Sequence, residues 1–360
     1  MARKKQILAL VLAASQLSAW RLASLASRSG IGASCRLAQP VMAGGGFGAS
    51  RSTPSLSADA ARALDDAGGD LDAAQALHYQ RALEALASSD PALHARLAES
   101  GSPPTDLSPA ERSKLVELTW DTIAAFLPTG RAPPAGGAMG AGGAKGRKGR
   151  SARGGGAKGG GGKVSVSERR MRRVAAAAAA RAGAAVLDVG CGDGSLLPML
   201  RAAGADERAY AGIDLSGGMV AAAAAAHPRA TFEHAGLFES RAIESAPAKF
   251  DAAVFCGSLQ FFSEPSAPLA RAVEALSPGG RLVLAHVNGG AFVRDERASN
   301  PATVLAHMPT AAELADLAAD LRLEIVAPEE LAPGGGGADA GVDAALDAFY
   351  LAVLRRPPDG

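Results

Sequence analysis

The spacing of apolar and polar positions changes character twice along this chain. From Ser57 to about Pro128 it is helical. Leu64, Ala67, Leu71 and Ala74 recur at three- and four-residue intervals, and Leu77, Leu83 and Leu86 extend the stripe. Ser108-Pro109-Ala110-Glu111 combines an N-cap serine, a proline at the first helical position and a glutamate at the third, so a helix is expected to start there. It should run through Leu115, Leu118, Ile123 and Phe126 and stop at Pro128, and its Trp120 is expected to pack against the domain that follows. Residues 129–164 have no apolar rhythm. From Ser165 a helix carrying Arg169, Arg170, Arg172 and Arg173 leads into an alanine run. Short apolar runs then alternate with helical stretches: Ala185–Val189, Tyr210–Ile213, Ala230–Glu233, Phe250–Cys256, Gly280–His286, Leu321–Val326 and Phe349–Arg355. Such alternation predicts an α/β domain with a mainly parallel sheet covered by helices. A glycine-rich stretch separates the last two runs, which suits a terminal antiparallel hairpin.

Composition adds two segments to this picture. Residues 1–20 read as a basic start, a short apolar run and a small-residue cleavage site after Ala19, the form of a signal peptide. The apolar run is about half of the roughly 20 residues that span a bilayer, so stable membrane insertion is not expected. No Asp or Glu precedes Asp59, while Arg21, Arg28, Arg36 and Arg51 recur among serines and alanines, the composition of an organelle transit peptide. A signal followed by a transit peptide resembles the two-part leader of algae with complex plastids, and Trp20 stands where those leaders carry an aromatic residue. The expected location is the plastid; the alternative is a secreted protein with a disordered N-terminus. The second segment, 129–164, is rich in Gly, Ala, Lys and Arg and has no apolar surface to offset the entropy of ordering, so it is expected to be a disordered linker. Its Lys145, Arg147, Lys148, Arg150, Arg153, Lys158 and Lys163 could contact nucleic acid, although a solvated spacer is the favoured reading. The expected organisation is therefore a leader over 1–56, a helical extension over 57–128, the linker over 129–164 and a catalytic domain over 165–360.

Charge and cysteine content exclude other classes. The formal net charge of +1 implies neither a nucleic-acid nor a membrane partner, and 4% aromatic content argues against a base-stacking platform. Cys35, Cys191 and Cys256 are widely spaced, with no Cys-x-x-Cys pair, so no disulfide framework and no metal site is expected.

Candidate chemistry concentrates where the first apolar run ends. Ala185-Val-Leu-Asp-Val is followed by Gly190-Cys-Gly-Asp-Gly194 and then by a helix with Leu196, Leu197 and Leu200. Glycines allow a tight turn and close approach of backbone to a ligand, and the following helix offers unpaired N–H groups. The second run ends at Asp214, where a carboxylate can accept both ribose hydroxyls of an adenosine. The spacing here is Gly-x-Gly-x-Gly rather than Gly-x-Gly-x-x-Gly, and Asp188 precedes the first glycine by two. An acidic group there would repel a pyrophosphate and suits a cationic ligand.

This stretch resembles motif I of class I S-adenosylmethionine-dependent methyltransferases, and Tyr210-Ala-Gly-Ile-Asp-Leu-Ser-Gly-Gly-Met219 resembles their second motif. Phe250–Leu259 is similar to their fourth strand, and Leu276–Leu284 to the turn into their fifth. The ending Phe349-Tyr-Leu-Ala-Val-Leu-Arg-Arg356 and the stretches from Ala285 and Asn300 are similar to uncharacterised plant and algal plastid methyltransferases. The resemblance implies a Rossmann-like, seven-stranded, mainly parallel sheet and S-adenosylmethionine as cofactor. It assigns cofactor contacts to Asp188, Gly190, Cys191, Gly192, Asp193, Gly194, Asp214, Leu215, Met219, Ala235, Gly236 and Cys256. One departure is visible. After strand three these enzymes often carry an acidic residue for the adenine amino group, whereas His234-Ala-Gly-Leu-Phe has none, so backbone groups of Ala235–Leu237 are expected to serve.

Methyl transfer needs a base only when the acceptor must lose a proton. His286, at the end of a predicted strand, is the candidate general base; a structural histidine is the alternative. His307, in the segment after strand five, could line the acceptor pocket; a surface or capping position is the favoured reading. The Pro-Cys pair of RNA cytosine-C5 methyltransferases and the Asn/Asp-Pro-Pro-Tyr signature of amino-group methyltransferases are both absent. By elimination the expected acceptor is a small plastid metabolite; the alternative is a plastid RNA- or ribosome-associated factor using the basic linker.

Overall fold

A computed structural model of the chain describes residues 58–99, 107–127, 165–245, 249–327, 330 and 342–358. The leader over 1–56 and the Gly/Lys-rich segment over 129–164 lie outside the described residues, and so do all the basic side chains of that segment named above.

The N-terminal helical pattern resolves into four helices: α1 (Ala58–Asp66), α2 (Leu71–Ser89), α3 (Pro91–Glu99) and α4 (Pro109–Ala124). The start of α4 is a complete capping box. Ser108 Oγ accepts from the Glu111 amide at 3.3 Å, and Glu111 returns a carboxylate oxygen to the Ser108 amide at 2.7 Å. Two otherwise unpaired N–H groups are satisfied by residues adjacent in sequence, which is why this boundary is legible without the structure.

The α/β part of the chain opens with α5 (Val166–Ala178), whose N-cap Ser165 accepts from the Glu168 amide. It continues β1 (Ala184–Val189), α6 (Leu197–Ala203), β2 (Ala205–Asp214), α7 (Gly217–Ala226), β3 (Thr231–His234), α8 (Arg241–Glu244), β4 (Phe250–Cys256), α9 (Ser266–Glu274) and β5 (Leu276–His286). After these come α10 (Gly289–Ser299), α11 (Ala311–Asp320), β6 (Glu324–Ile325), α12 (Val342–Ala348) and β7 (Tyr350–Arg355). The seven strands form one sheet in the order β3-β2-β1-β4-β5-β7-β6. Strands β1 to β5 pair in parallel, with Val186 opposite Tyr210 on one side and Ala252 on the other. Strand β7 enters antiparallel between β5 and β6, with Arg281 opposite Arg355 and His286 opposite Tyr350. The expected hairpin is present, although the short helix α12 in its connection was not foreseen.

Both faces of the sheet are covered, as parallel strands require. Ala252 and Val254 point to the side of α5 and α6, with Val186, Val283 and Val353. Ala253 and Phe255 point to the other side, with Leu187, Leu282, Leu284 and residues of α9 to α11. The β-strand period of two thus assigns alternate residues to two cores.

The helical extension packs on this part at two places. Trp120, Ile123, Ala124 and Leu127 seat against Met219 and Ala222 of α7. Leu107, Leu115, Leu93 and Tyr79 close over Ala302, in the segment between α10 and α11. Trp120 also meets Phe261 edge to face, with ring centres 5.8 Å apart.

Two buried ionisable groups give the fold a pH signature. Burial alone raises the Glu296 carboxyl to about 7 and lowers the His286 imidazole to about 4. Glu296 contributes stability while it keeps its proton, and that contribution is lost as pH rises from its unfolded range near 4.5 to about 7. His286 acts oppositely, its contribution being lost as pH falls from 6.5 towards 4. Glu296→Gln is therefore expected to leave stability unchanged near pH 4.5 and to raise it by about 2 kcal/mol at pH 8. Urea unfolding of both chains at the two pH values measures this; an equal effect at both would refute it.

Candidate functional site

Strand β1 ends in the left-handed turn that its glycines permit, with φ of 72°, 55° and 73° at Gly190, Gly192 and Gly194. Gly190 has a second reason to lack a side chain. A Cβ there would stand 2.4 Å from the Cβ of Ser258, whose hydroxyl donates to the Val189 carbonyl at 2.5 Å. The loop is held from below as well: the Gly190 and Cys191 amides both donate to the Ile213 carbonyl, at 2.8 and 3.0 Å.

Asp214, the last residue of β2, stands across from this loop. Its two oxygens accept from the Gly192 amide at 2.8 Å and the Ser216 amide at 2.9 Å. Two of a carboxylate's roughly four acceptor positions are used this way, which fixes its plane at the wall of a cavity of about 1090 Å³. That volume lies at the upper end of the roughly 300–1,000 Å³ typical of small-ligand sites. The cavity lies beyond the C-terminal ends of the strands, where ligands of open α/β sheets bind.

Its walls come from several elements. Val189, Gly190, Gly192, Ile213 and Asp214 form the floor, and Leu215, Ala235 and Gly236 one end. Gly257, Ser258, Phe261, Phe262 and Leu305 form the opposite side. Helix α4 supplies a whole face: Pro109, Arg112, Ser113, Val116, Glu117 and Trp120, at the three- and four-residue spacing of one helical stripe.

Of the cofactor residues expected from sequence, Gly190, Gly192, Asp214, Leu215, Ala235 and Gly236 meet on this cavity. The others stand behind it. Asp188 is buried, with the Tyr210 hydroxyl donating to it at 2.9 Å, so it supports the loop from beneath and does not line the wall. Desolvation and the adjacent Asp188 charge push that phenol well above its ordinary range, which keeps it a donor. Cys191 is buried, with its sulfur towards Gly212. Asp193 accepts from the Ser195 amide at 3.2 Å, and neither it nor Gly194 reaches the wall. Met219 belongs to the seat of α4. Cys256 turns its sulfur towards Met171 at 3.7 Å, away from the cavity.

The expected general base lies off the cavity wall, in the position of the structural alternative. His286 is 1% exposed, its ring is stacked on Phe292 and it lies behind Gly257 rather than on the wall. An imidazole depressed to about 4 by burial is a weak base. His307 is not on the cavity wall; it pairs with the Glu313 carboxylate at 3.0 Å, beside the capping box that Thr310 and Glu313 form at the start of α11.

Sequence reading missed two carboxylates at the end where none was expected. Glu233, inside β3, caps α8 through Ser240 Oγ and the Arg241 and Ala242 amides. Glu239 is returned by the 3-10 turn Leu237–Glu239 so that its carboxylate lies over Gly236 on the cavity wall. A glutamate five residues past the strand, with a glycine between, is the signal that could have found it.

The sheet order, the glycine turn leaving β1 and the carboxylate closing β2 form a Rossmann-like arrangement whose cavity fits S-adenosylmethionine as cofactor. More particularly, residues 187–282 match the family model described as a methyltransferase domain. No curated protein matches the chain. Among solved structures, the chain is similar to the methyltransferase in complex with the Haloferax volcanii Trm112 methyltransferase activator, at 21% identity and a TM-score of 0.41, over 53% of this chain and 92% of that one. It is similar to an S-adenosylmethionine-dependent methyltransferase from Mesorhizobium loti, at 20% identity and a TM-score of 0.38, over 53% and 98% of the two chains. A third similar structure is Burkholderia thailandensis 1,6-didemethyltoxoflavin-N1-methyltransferase, at 23% and 0.37, over 52% and 78%. Among the described residues no helix is long and apolar enough to cross a membrane, and no group of side chains is placed to hold a metal.

Proposed function

We propose that this protein methylates a small molecule held in the cavity beneath α4, and that it does so in the plastid. The observation that carries the reading is the cavity itself: about 1090 Å³, with Asp214 and the glycine turn on one side and Trp120, Val116, Phe261 and Phe262 on the other. In this reading Asp214 takes the ribose hydroxyls, Leu215, Ala235 and Gly236 bracket the adenine, and Glu239 accepts from its amino group. S-adenosylmethionine, when bound there, would supply an electrophilic methyl group to an acceptor's lone pair. The protein's part is position and exclusion of water. Since His286 is shielded, a proton lost by the acceptor passes to solvent or to a carboxylate on the wall. Asp188, one strand residue beneath the loop, adds a negative charge that favours a cationic ligand over a pyrophosphate. The plastid location rests on the composition of residues 1–56.

Incubating the full chain with methyl-labelled S-adenosylmethionine and a plastid extract tests this. Label is expected in the small-molecule fraction. Label confined to RNA or ribosomal protein would overturn the acceptor class in favour of the factor that uses the basic segment.

A further inference from the structure

We propose that Asp121 is a positioning residue for the cofactor site, so that α4 is a built part of the methyltransferase and not an appendage to it. The proposal rests on the cofactor reading above and concerns how the ribose carboxylate is held.

Asp121 stands 95 residues before the serine it grips. Its Oδ1 accepts from Ser216 Oγ at 2.5 Å and from the Gly218 amide at 3.0 Å. Ser216 is fully buried, and its own amide donates to Asp214 Oδ1. The same hydroxyl oxygen accepts from the Met219 amide at 3.1 Å, capping α7. One continuous chain of hydrogen bonds therefore runs from Asp121 through Ser216 to Asp214, and on to the Gly192 amide of the glycine turn.

The direction of the Ser216 hydroxyl decides what this chain does. With Asp121 in place, the hydroxyl proton is committed to α4 and the Ser216 backbone holds Asp214. Without Asp121 that proton has no acceptor on α4, so the Ser216 side chain is no longer fixed from that side and its backbone holds Asp214 less firmly. The seat around Asp121 is rigid enough to transmit this: Ile123, Ala124 and Leu127 pack on the fully buried Met219. The positive end of α7 offsets the cost of two carboxylates sharing one serine. A carboxylate recruited from the extension thus presets the geometry of one on the sheet, the form of preorganisation that binding sites draw from surrounding groups.

Calorimetric titration of the full chain with S-adenosylhomocysteine tests the proposal. Asp121→Ala is expected to weaken binding about tenfold. Asp121→Asn keeps an acceptor oxygen and should stay within about threefold of the parent. Ser216→Ala breaks the same chain and should cost the same factor as Asp121→Ala. Because one chain of bonds is lost only once, the double variant should bind no more weakly than either single one, whereas unrelated structural damage multiplies to about a hundredfold. Parent-like affinity in Asp121→Ala, or a multiplied loss in the double variant, overturns the proposal while leaving the cofactor reading intact. Failure of the parent itself to bind at millimolar ligand overturns both. If Asp121→Ala does not fold, Ser216→Ala decides by the same tenfold criterion.

Discussion

Asp214→Ala is expected to weaken S-adenosylhomocysteine binding by a factor of about 100 or more, since each hydrogen bond to a charged acceptor is worth about 1.5–3 kcal/mol. Two such bonds to ribose would be lost. The Gly192 and Ser216 amides that now share this carboxylate would also lose their partner. The effect should fall on affinity more than on folding, because Asp214 stands at the cavity wall and not in the core. Asp214→Asn keeps one acceptor oxygen and should recover part of the loss. Calorimetric titration of the three chains measures this; an alanine variant that binds like the parent would remove Asp214 from the site.

Gly190→Ala is expected to abolish binding altogether and to lower the melting temperature of the ligand-free chain. A left-handed φ of 72° costs a side-chain-bearing residue about 1–2 kcal/mol. The new Cβ would also meet the Ser258 Cβ at 2.4 Å, so the turn or the end of β4 must move. Gly183→Ala is the control. Gly183 has the same sign of φ, at 73°, but nothing within 4 Å of the position its Cβ would take. It should lose only about 1–2 kcal/mol, the cost of the left-handed φ and less than Gly190→Ala, and keep its affinity. Thermal melts with and without S-adenosylhomocysteine separate the two; equal retention of the ligand shift in both variants would contradict the placement of Gly190.

These residues also show where sequence reading succeeds. The glycine turn, Asp214 and the Ser108 cap depend on neighbours a few residues away or on strand ends that periodicity locates, so all three were legible. The mainly parallel sheet followed from alternation alone, and the hairpin from the lack of a long crossover. Three features were not legible. The stripe of α4 reads as amphipathic, but nothing in its spacing says that Arg112 to Trp120 face a cavity while Leu115 faces Ala302; that choice is made by α7 and the segment after α10. His286 was placed at the correct strand end, but its burial is set by Phe292 on a helix whose packing the sequence pattern does not disclose. Glu239 escaped because a 3-10 turn returns it to Gly236, and a strand-based search stops at His234. Asp188 shows the limit differently: its position beside the glycines was read correctly, and its partner, the Tyr210 hydroxyl, turns it into a support beneath the loop.

Two consequences concern regulation of the chain's own stability. The contributions of Glu296 and His286 run in opposite directions over nearly the same pH window, so they largely offset each other in the parent and the dependence of each shows only when the other is removed, as in Glu296→Gln. Ligand binding adds to stability by mass action whatever the pH, so melts that compare variants need matched ligand concentrations.

The most direct test of the central claim is a pair of calorimetric titrations of the full chain, one with S-adenosylhomocysteine and one with NAD. The glycine spacing, the acidic Asp188 beneath the loop and Asp214 at the end of β2 predict one S-adenosylhomocysteine bound per chain and no binding of NAD. Binding of NAD without S-adenosylhomocysteine, or of neither at millimolar concentration, would contradict it.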